Sequence, residues 1–149
     1  MRLIVLSFIL VFSTLSTVQA GEGLVVKNSP YSVGETLDRL EAIFKKKGIT
    51  VFARIDHAAG AAKIGKTMPA TQVLIFGNPK LGTPLMESQR KIGIALPLKV
   101  LAWEADGTVK IAYTKPSQLA RRYGVVDRDP VLAKMSGALD HLTNAAIKQ

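Results

Sequence analysis

Between Ser32 and Gly48 the apolar residues Val33, Leu37, Leu40 and Phe44 recur at a spacing that lines one side of a helix. Ser32 and Glu35 make a capping box at its start, hydroxyl and carboxylate each meeting a backbone donor that the first turn leaves free, and Gly48 supplies the stop. The period then changes. Ile49, Val51, Ala53 and Ile55 alternate with Thr50, Phe52, Arg54 and Asp56, the two-residue repeat of a strand, until the alternation breaks at His57. Residues 71–76 form a β-branched and aromatic run short enough for a buried strand, closed by Gly77, Asn78 and Pro79. Two more runs, 98–103 and 108–113, flank Asp106-Gly107, a dipeptide that joins such runs into a hairpin. The last helix opens at Asp129-Pro130 and carries Leu132, Met135, Leu139, Leu142 and Ala146 as an apolar stripe that docks on the sheet.

Four segments carry weaker patterns. Residues 23–27 read as a first strand, ended by Asn28, Ser29 and Pro30, and the Ala/Gly stretch 58–65 as a short helix that Gly60 weakens. Thr83 reads as an N-cap with Pro84 at the first helical position, and Leu85, Ile92 and Leu96 keep a helical spacing until Pro97. Ser117 is the expected cap of a short helix carrying Leu119 and Tyr123, with Gly124 behind it. Strand, helix, several strands and a final helix predict an α+β protein with a mostly antiparallel sheet and helices packed on one face. A doubly wound parallel sheet would place helices between all strands, which the hairpin opposes.

The chain begins Met1-Arg2, runs through the apolar residues 3–12 and a Ser/Thr stretch, and reaches Val18, Gln19 and Ala20 before Gly21. That order predicts a signal peptide over residues 1–20, cleaved after Ala20. Its apolar core is about half the roughly 20 residues a membrane-crossing helix needs, so the expectation is cleavage and release, not a permanent anchor. The 149 residues less these 20 leave 129, one domain over residues 21–149, expected in the periplasm or secreted. No Cys is present, so neither a disulfide nor a lipidated cysteine is available and stability rests on packing. Arg2 is the sole charged side chain in the leader, which takes the formal charge from +9 to +8 on cleavage. Export disfavours nucleic acid as a partner of so basic a chain and favours an anionic small molecule or the cell-envelope surface. The competing explanation of the charge is solubility alone.

Residues 72–79 (Gln-Val-Leu-Ile-Phe-Gly-Asn-Pro), 81–86 (Leu-Gly-Thr-Pro-Leu-Met), 96–101 with Trp103, and 119–123 (Leu-Ala-Arg-Arg-Tyr) together resemble the bacterial domain of unknown function 302 family, and Asp56-His57 is similar to its pattern. The resemblance runs from Leu24 to Tyr123, and the Phe-Gly-Asn-Pro segment with its helix is its most specific part. It implies a β-α-β-β-β-β-α core, akin to the TATA-binding-protein-like fold in topology only, and a homodimer. It implies no activity, and no catalytic residue carries over from it.

The residues offer few complete chemical sets. Gly77 and Gly82 bracket a segment between a predicted strand and a predicted helix, but Thr83-Pro84 stand where a phosphate-binding loop has Lys and Ser/Thr. What remains is a helix start whose free backbone donors, with Asn78, Lys80 and Thr83 close by, would hold a carboxylate or phosphate; the plain alternative is a tight turn and an ordinary cap. Asp56 and His57 are the most chemical pair, yet neighbours on a strand point to opposite faces and the other imidazole, His141, lies far along the last helix. Two His without Cys are a poor zinc set, and no cofactor or metal is implied. Trp103 and Tyr113, on the two hairpin arms, would form either an aromatic wall or sheet packing. Ser136-Gly137 lacks a nucleophile elbow and sits within a helix pattern. Lys45, Lys46 and Lys47, and the pair Arg121 and Arg122, are cationic clusters, the first suited to a solvated helix end.

No catalytic constellation is complete. The leading expectation is an exported, non-catalytic module that binds a small or acidic ligand through His57, Asp56, Asn78, Lys80, Thr83 and Trp103. A homodimeric interaction or scaffold protein, and a small hydrolase or isomerase using Asp56 and His57 with Arg54 or Arg90, are the alternatives.

Overall fold

The structure is a computed structural model that describes residues 23–149. The expected signal peptide therefore lies outside the described residues. Five strands, β1 (Leu24–Ser29), β2 (Thr50–Asp56), β3 (Thr71–Gly77), β4 (Leu98–Ala105) and β5 (Thr108–Thr114), form one sheet in the order β1-β5-β4-β3-β2. Every neighbouring pair is antiparallel. The predicted α+β class and core order are both present, with α1 (Val33–Lys46), α2 (His57–Lys63), α3 (Pro79–Ser88), a 3-10 helix (Arg90–Ala95), α4 (Pro116–Tyr123) and α5 (Asp129–Ile147) between and after the strands.

The stripes predicted for the first and last helices are the ones buried. Val33, Leu37, Leu40 and Phe44 on α1, with Leu132, Met135, Leu139, Leu142 and Ala146 on α5, close over Leu74, Phe76, Val100, Ala102, Ile111 and Tyr113 of the sheet. Phe44 and Phe76 meet with ring centroids 4.4 Å apart. Ser32 caps α1, its hydroxyl accepting the Glu35 N–H at 3.2 Å. The hairpin turns at Asp106 and Gly107, with φ of 52° and 71°, the double positive-φ turn whose twist suits antiparallel strands.

Polar side chains tie the layers together. Lys27 of β1 donates to Asp140 Oδ1 at 2.7 Å, Thr143 Oγ1 at 2.9 Å and Asn144 Oδ1 at 2.7 Å on α5. Arg39 of α1 donates to the carbonyls of Ala146 and Lys148, satisfying acceptors that the end of α5 leaves open. Arg54 of β2 reaches Asp38 and the Gly34 carbonyl of α1.

Among the described residues the buried helix stripes lie on one sheet face, and the opposite sheet face is left open. Register places Ile55, Val73, Leu101, Ala112 and Val26 side by side across all five strands, with alternation turning them away from the buried row of Leu74, Val100 and Tyr113. Ile55 and Val26 are each 43% exposed.

Three local expectations are corrected. Helix α3 starts at Pro79, not at Thr83: the Asn78 side chain accepts the Lys80 N–H and Pro79 takes the first turn, leaving Thr83 and Pro84 inside the helix. The spacing predicted through Leu96 is split by Gln89 into α3 and the 3-10 helix. Helix α4 starts at Pro116 behind Lys115, so Ser117 lies within it instead of capping it.

Candidate functional site

Where the end of β3, helix α3, the 3-10 helix and helix α5 meet, the chain leaves a cleft of about 410 Å3, in the range of small-molecule sites. Phe76 from β3 and Met135, Leu139 and Leu142 from α5 line its buried side. Leu81, Gly82 and Met86 from α3 face Gly93, Leu96 and Leu98, and Phe52, 56% exposed, stands at the bulge in β2. Among the described residues, Asn78 and Thr83 are the only polar side chains in the lining, and no charged side chain takes part.

Missing side chains shape this space. A Cβ on Gly77 would lie 3.1 Å from the Phe52 ring, one on Gly93 3.4 Å from Met86 Sδ, and one on Gly82 3.6 Å from Leu96 Cδ1. At Gly77 the approach is tighter than a side chain tolerates without Phe52 moving. Met86 and Met135 add unbranched, adaptable walls. The roof is fixed from outside: the Ser88 hydroxyl bonds to Asp127, and Arg128 Nε donates to the Pro84 carbonyl at 3.1 Å, so the segment entering α5 holds α3 in place. The Ser88 hydrogen bond, with the Arg128 guanidinium beside it, holds the Asp127 carboxyl below the usual carboxylate range.

The sequence-derived anion site does not survive at this helix start. Pro79 has no N–H, Lys80 N–H meets Asn78 Oδ1 at 3.0 Å, and the N–H groups of Leu81 and Gly82 both meet the Asn78 carbonyl at 3.0 Å. Every donor of the first turn is thus spent within the chain. Asn78 and Thr83 line the cleft, whereas Lys80 is exposed and outside its lining.

Asp56 and His57 are brought to the far end of β2, and neither lines the cleft. Asp56 is the cap of α2: one oxygen accepts the Ala59 N–H at 2.8 Å and the other the Gln72 amide at 3.0 Å. Gln72 in turn accepts from Arg54 Nε at 2.8 Å, so Arg54, Gln72 and Asp56 form a structural relay from α1 to α2. His57 begins α2, exposed and without a side-chain hydrogen bond among the described residues, and Arg90 opens the 3-10 helix. Trp103 sits opposite Lys110 on the open sheet face, while Tyr113 pairs with Val100 on the helix face. The aromatic wall is therefore not formed, because the Asp106–Gly107 turn sets a register in which odd residues of β4 share a face with even residues of β5. Ser136 bonds its own helix at the Leu132 carbonyl, 2.8 Å away. Among the described residues no three His, Cys, Asp or Glu converge as a metal-binding set, and no helix is long and apolar enough to cross a membrane.

The cleft residues that sequence reasoning missed are the glycines and methionines. Their signal was present as three glycines, Gly77, Gly82 and Gly93, around a strand-to-helix junction, two of them in or beside helices that gain nothing from glycine.

A second cleft lies across the wall formed by Leu98 and Leu139, which line both. Tyr113 borders it. Burial, and then the Asp140 carboxylate, push the Tyr113 phenol above its ordinary value, while the hydrogen bond from Lys27 holds Asp140 below its own.

Comparison with known proteins agrees with this architecture. The family model described as domain of unknown function DUF302 matches residues 25–142. A crystal structure of a DUF302 protein from Bacillus stearothermophilus superposes with a TM-score of 0.68, covering 85% of this chain and 96% of that one at 21% identity, a likeness of fold. The fluoride-specific ion channel FluC 1 of Brucella suis biovar 1 is 45% identical over 104 residues, which are 69% of this chain and 41% of the channel protein. The fluoride-specific ion channel FluC 2 of Brucella melitensis biotype 1 shows the same identity over 38% of its length. The chain thus spans about two fifths of these curated relatives. The match over most of its length, joined to the shared fold, shows that this chain belongs to the DUF302 family.

Proposed function

We propose that this protein is an exported, non-catalytic module that binds a small, largely apolar ligand in the cleft between α3, α5 and the end of β3. The observation that carries the reading is the lining: space for a small molecule, bounded by apolar side chains and glycines, with Asn78 and Thr83 alone among the described residues to orient a ligand by hydrogen bonds. A charged ligand would leave its counter-charge unmet there, so the acidic ligand expected from net charge does not suit this cleft. Export rests on the leader pattern of residues 1–20. The committed hydrogen bonds of Asp56 and Arg54 weigh against an acid–base role for that cluster. The Brucella channel relatives support a modular reading, since a segment like this one occupies about two fifths of each.

Thermal-shift screening of the purified protein against neutral apolar compounds and charged analogues tests this. A ligand at about a hundred times its Kd adds roughly 2.7 kcal/mol to stability, so neutral binders raise the Tm and charged analogues do not. A broad panel with no stabilising neutral compound speaks against the reading.

A second reading, a homodimeric interaction protein, is favoured by the open sheet face. The apolar row from Ile55 to Val26 crosses all five strands, and two copies of one sheet share the same twist, which suits face-to-face packing. Light scattering separates this reading from the first: a dimer mass that Leu101→Asp converts to monomer supports it, and a monomer at every concentration removes it.

A further inference from the structure

We propose a second binding site, for a small organic anion with an apolar or aromatic body, in the cleft that α4 and the end of the β4–β5 pair form beyond the Leu98–Leu139 wall. This cleft measures about 430 Å3. Among the described residues, Lys99 and Arg122 are the charged residues that border it, and no Asp or Glu does. Asp140, the acid that acts on the neighbouring Tyr113, is already neutralised by Lys27 at 2.7 Å.

The donors here are unspent, unlike those at the start of α3. Arg122 makes no side-chain hydrogen bond among the described residues; its guanidinium lies 5.8 Å from the Tyr123 ring centroid, so its forked N–H groups remain for a carboxylate. Among the described residues Lys99 donates only to the Pro97 carbonyl of its own strand entrance, 3.1 Å away, which leaves two of its three hydrogens. Arg121 holds Gln118 Oε1 at 2.5 Å, which leaves the Gln118 amide NH2, a donor pair, to the cleft. Leu98, Leu119 and Leu139 supply an apolar floor. The floor and the Tyr123 ring select an anion with a hydrocarbon body over a bare inorganic one.

The test titrates the isotope-labelled protein with 3-phenylpropionate, its alcohol 3-phenylpropanol, and its amine 3-phenylpropylamine, followed by amide shifts. Shifts at Lys99, Thr114, Gln118 and Tyr123 that saturate with the acid in the millimolar range are expected, with the alcohol about tenfold weaker. Arg122→Gln and Lys99→Gln, both at exposed positions, each weaken the acid about tenfold, while Gly82→Leu in the other cleft leaves it unchanged. Four outcomes overturn the proposal: no shifts up to about 50 mM acid; alcohol or amine as tight as acid; shifts that map to residues 77–86; or full affinity in both cation variants. Since the apolar cleft is probed by a different variant, either site can fail alone.

Discussion

The two clefts have nearly the same volume, about 410 and 430 Å3, and stand back to back on Leu98 and Leu139, yet their linings are opposite in chemistry. On the α3 side the chain creates space by omitting side chains at Gly77, Gly82 and Gly93, and it spends every backbone donor of the helix start on Asn78. On the α4 side it leaves Lys99 and Arg122 with donors in hand. Size therefore says little about what a cleft receives. The count of unspent donors and the sign of the lining charge decide it.

The largest effect that can break this comparison is at the shared wall. Leu139 is 3% exposed and touches both clefts, so Leu139→Ala is expected to cost about 3 kcal/mol, read as a lower urea midpoint. A loss under about 1 kcal/mol would mean that the wall is loose and the clefts are one space. Next comes the clasp beside the cationic cleft. Lys27→Met removes a donor that serves Asp140, Thr143 and Asn144, and should cost about 1–2 kcal/mol by the same measurement. On the apolar side Gly82→Ala should instead stabilise α3, by about 0.5–1 kcal/mol, because its Cβ meets Leu96 at an ordinary 3.6 Å and alanine suits a helix interior. The smallest effect is with pH. Asp140 titrates lower in the folded state than its unfolded value of about 3.9, so its contribution is complete above that pH and is lost as the pH falls through the folded value. Tm measured from pH 6 to about pH 2 should therefore fall less steeply in Asp140→Asn than in the parent.

Much of the fold was legible because single residues settled it. The stripe on α5 and the alternation of β2 are periodic signals, and Asp106-Gly107 admits few turns. The start of α3 was not, since Asn78-Pro79 and Thr83-Pro84 are the same kind of signal and only the Asn78 side chain's reach to Lys80 N–H decides between them. Whether Trp103 and Tyr113 form a wall or separate packing contacts turns on one parity, which hairpin register fixes and local pattern does not. The clefts lay further still from the sequence. The apolar one joins residues from Ile49 to Leu142, and glycines enter it by what they lack. Asp56 looked chemical because carboxylates that cap helices and carboxylates that catalyse have the same letters; its partners Ala59 and Gln72 tell them apart.

The most direct measurement titrates the neutral, environment-sensitive fluorophore N-phenyl-1-naphthylamine into the protein, its Gly82→Ala variant and its Gly82→Leu variant. A saturable rise in emission with the first two, weakened at least about tenfold in Gly82→Leu while that variant keeps its folded circular dichroism, is the predicted result. Equal enhancement by Gly82→Leu, or none by the parent protein, would contradict the assignment of the glycine-lined cleft as the place where this protein takes up its ligand.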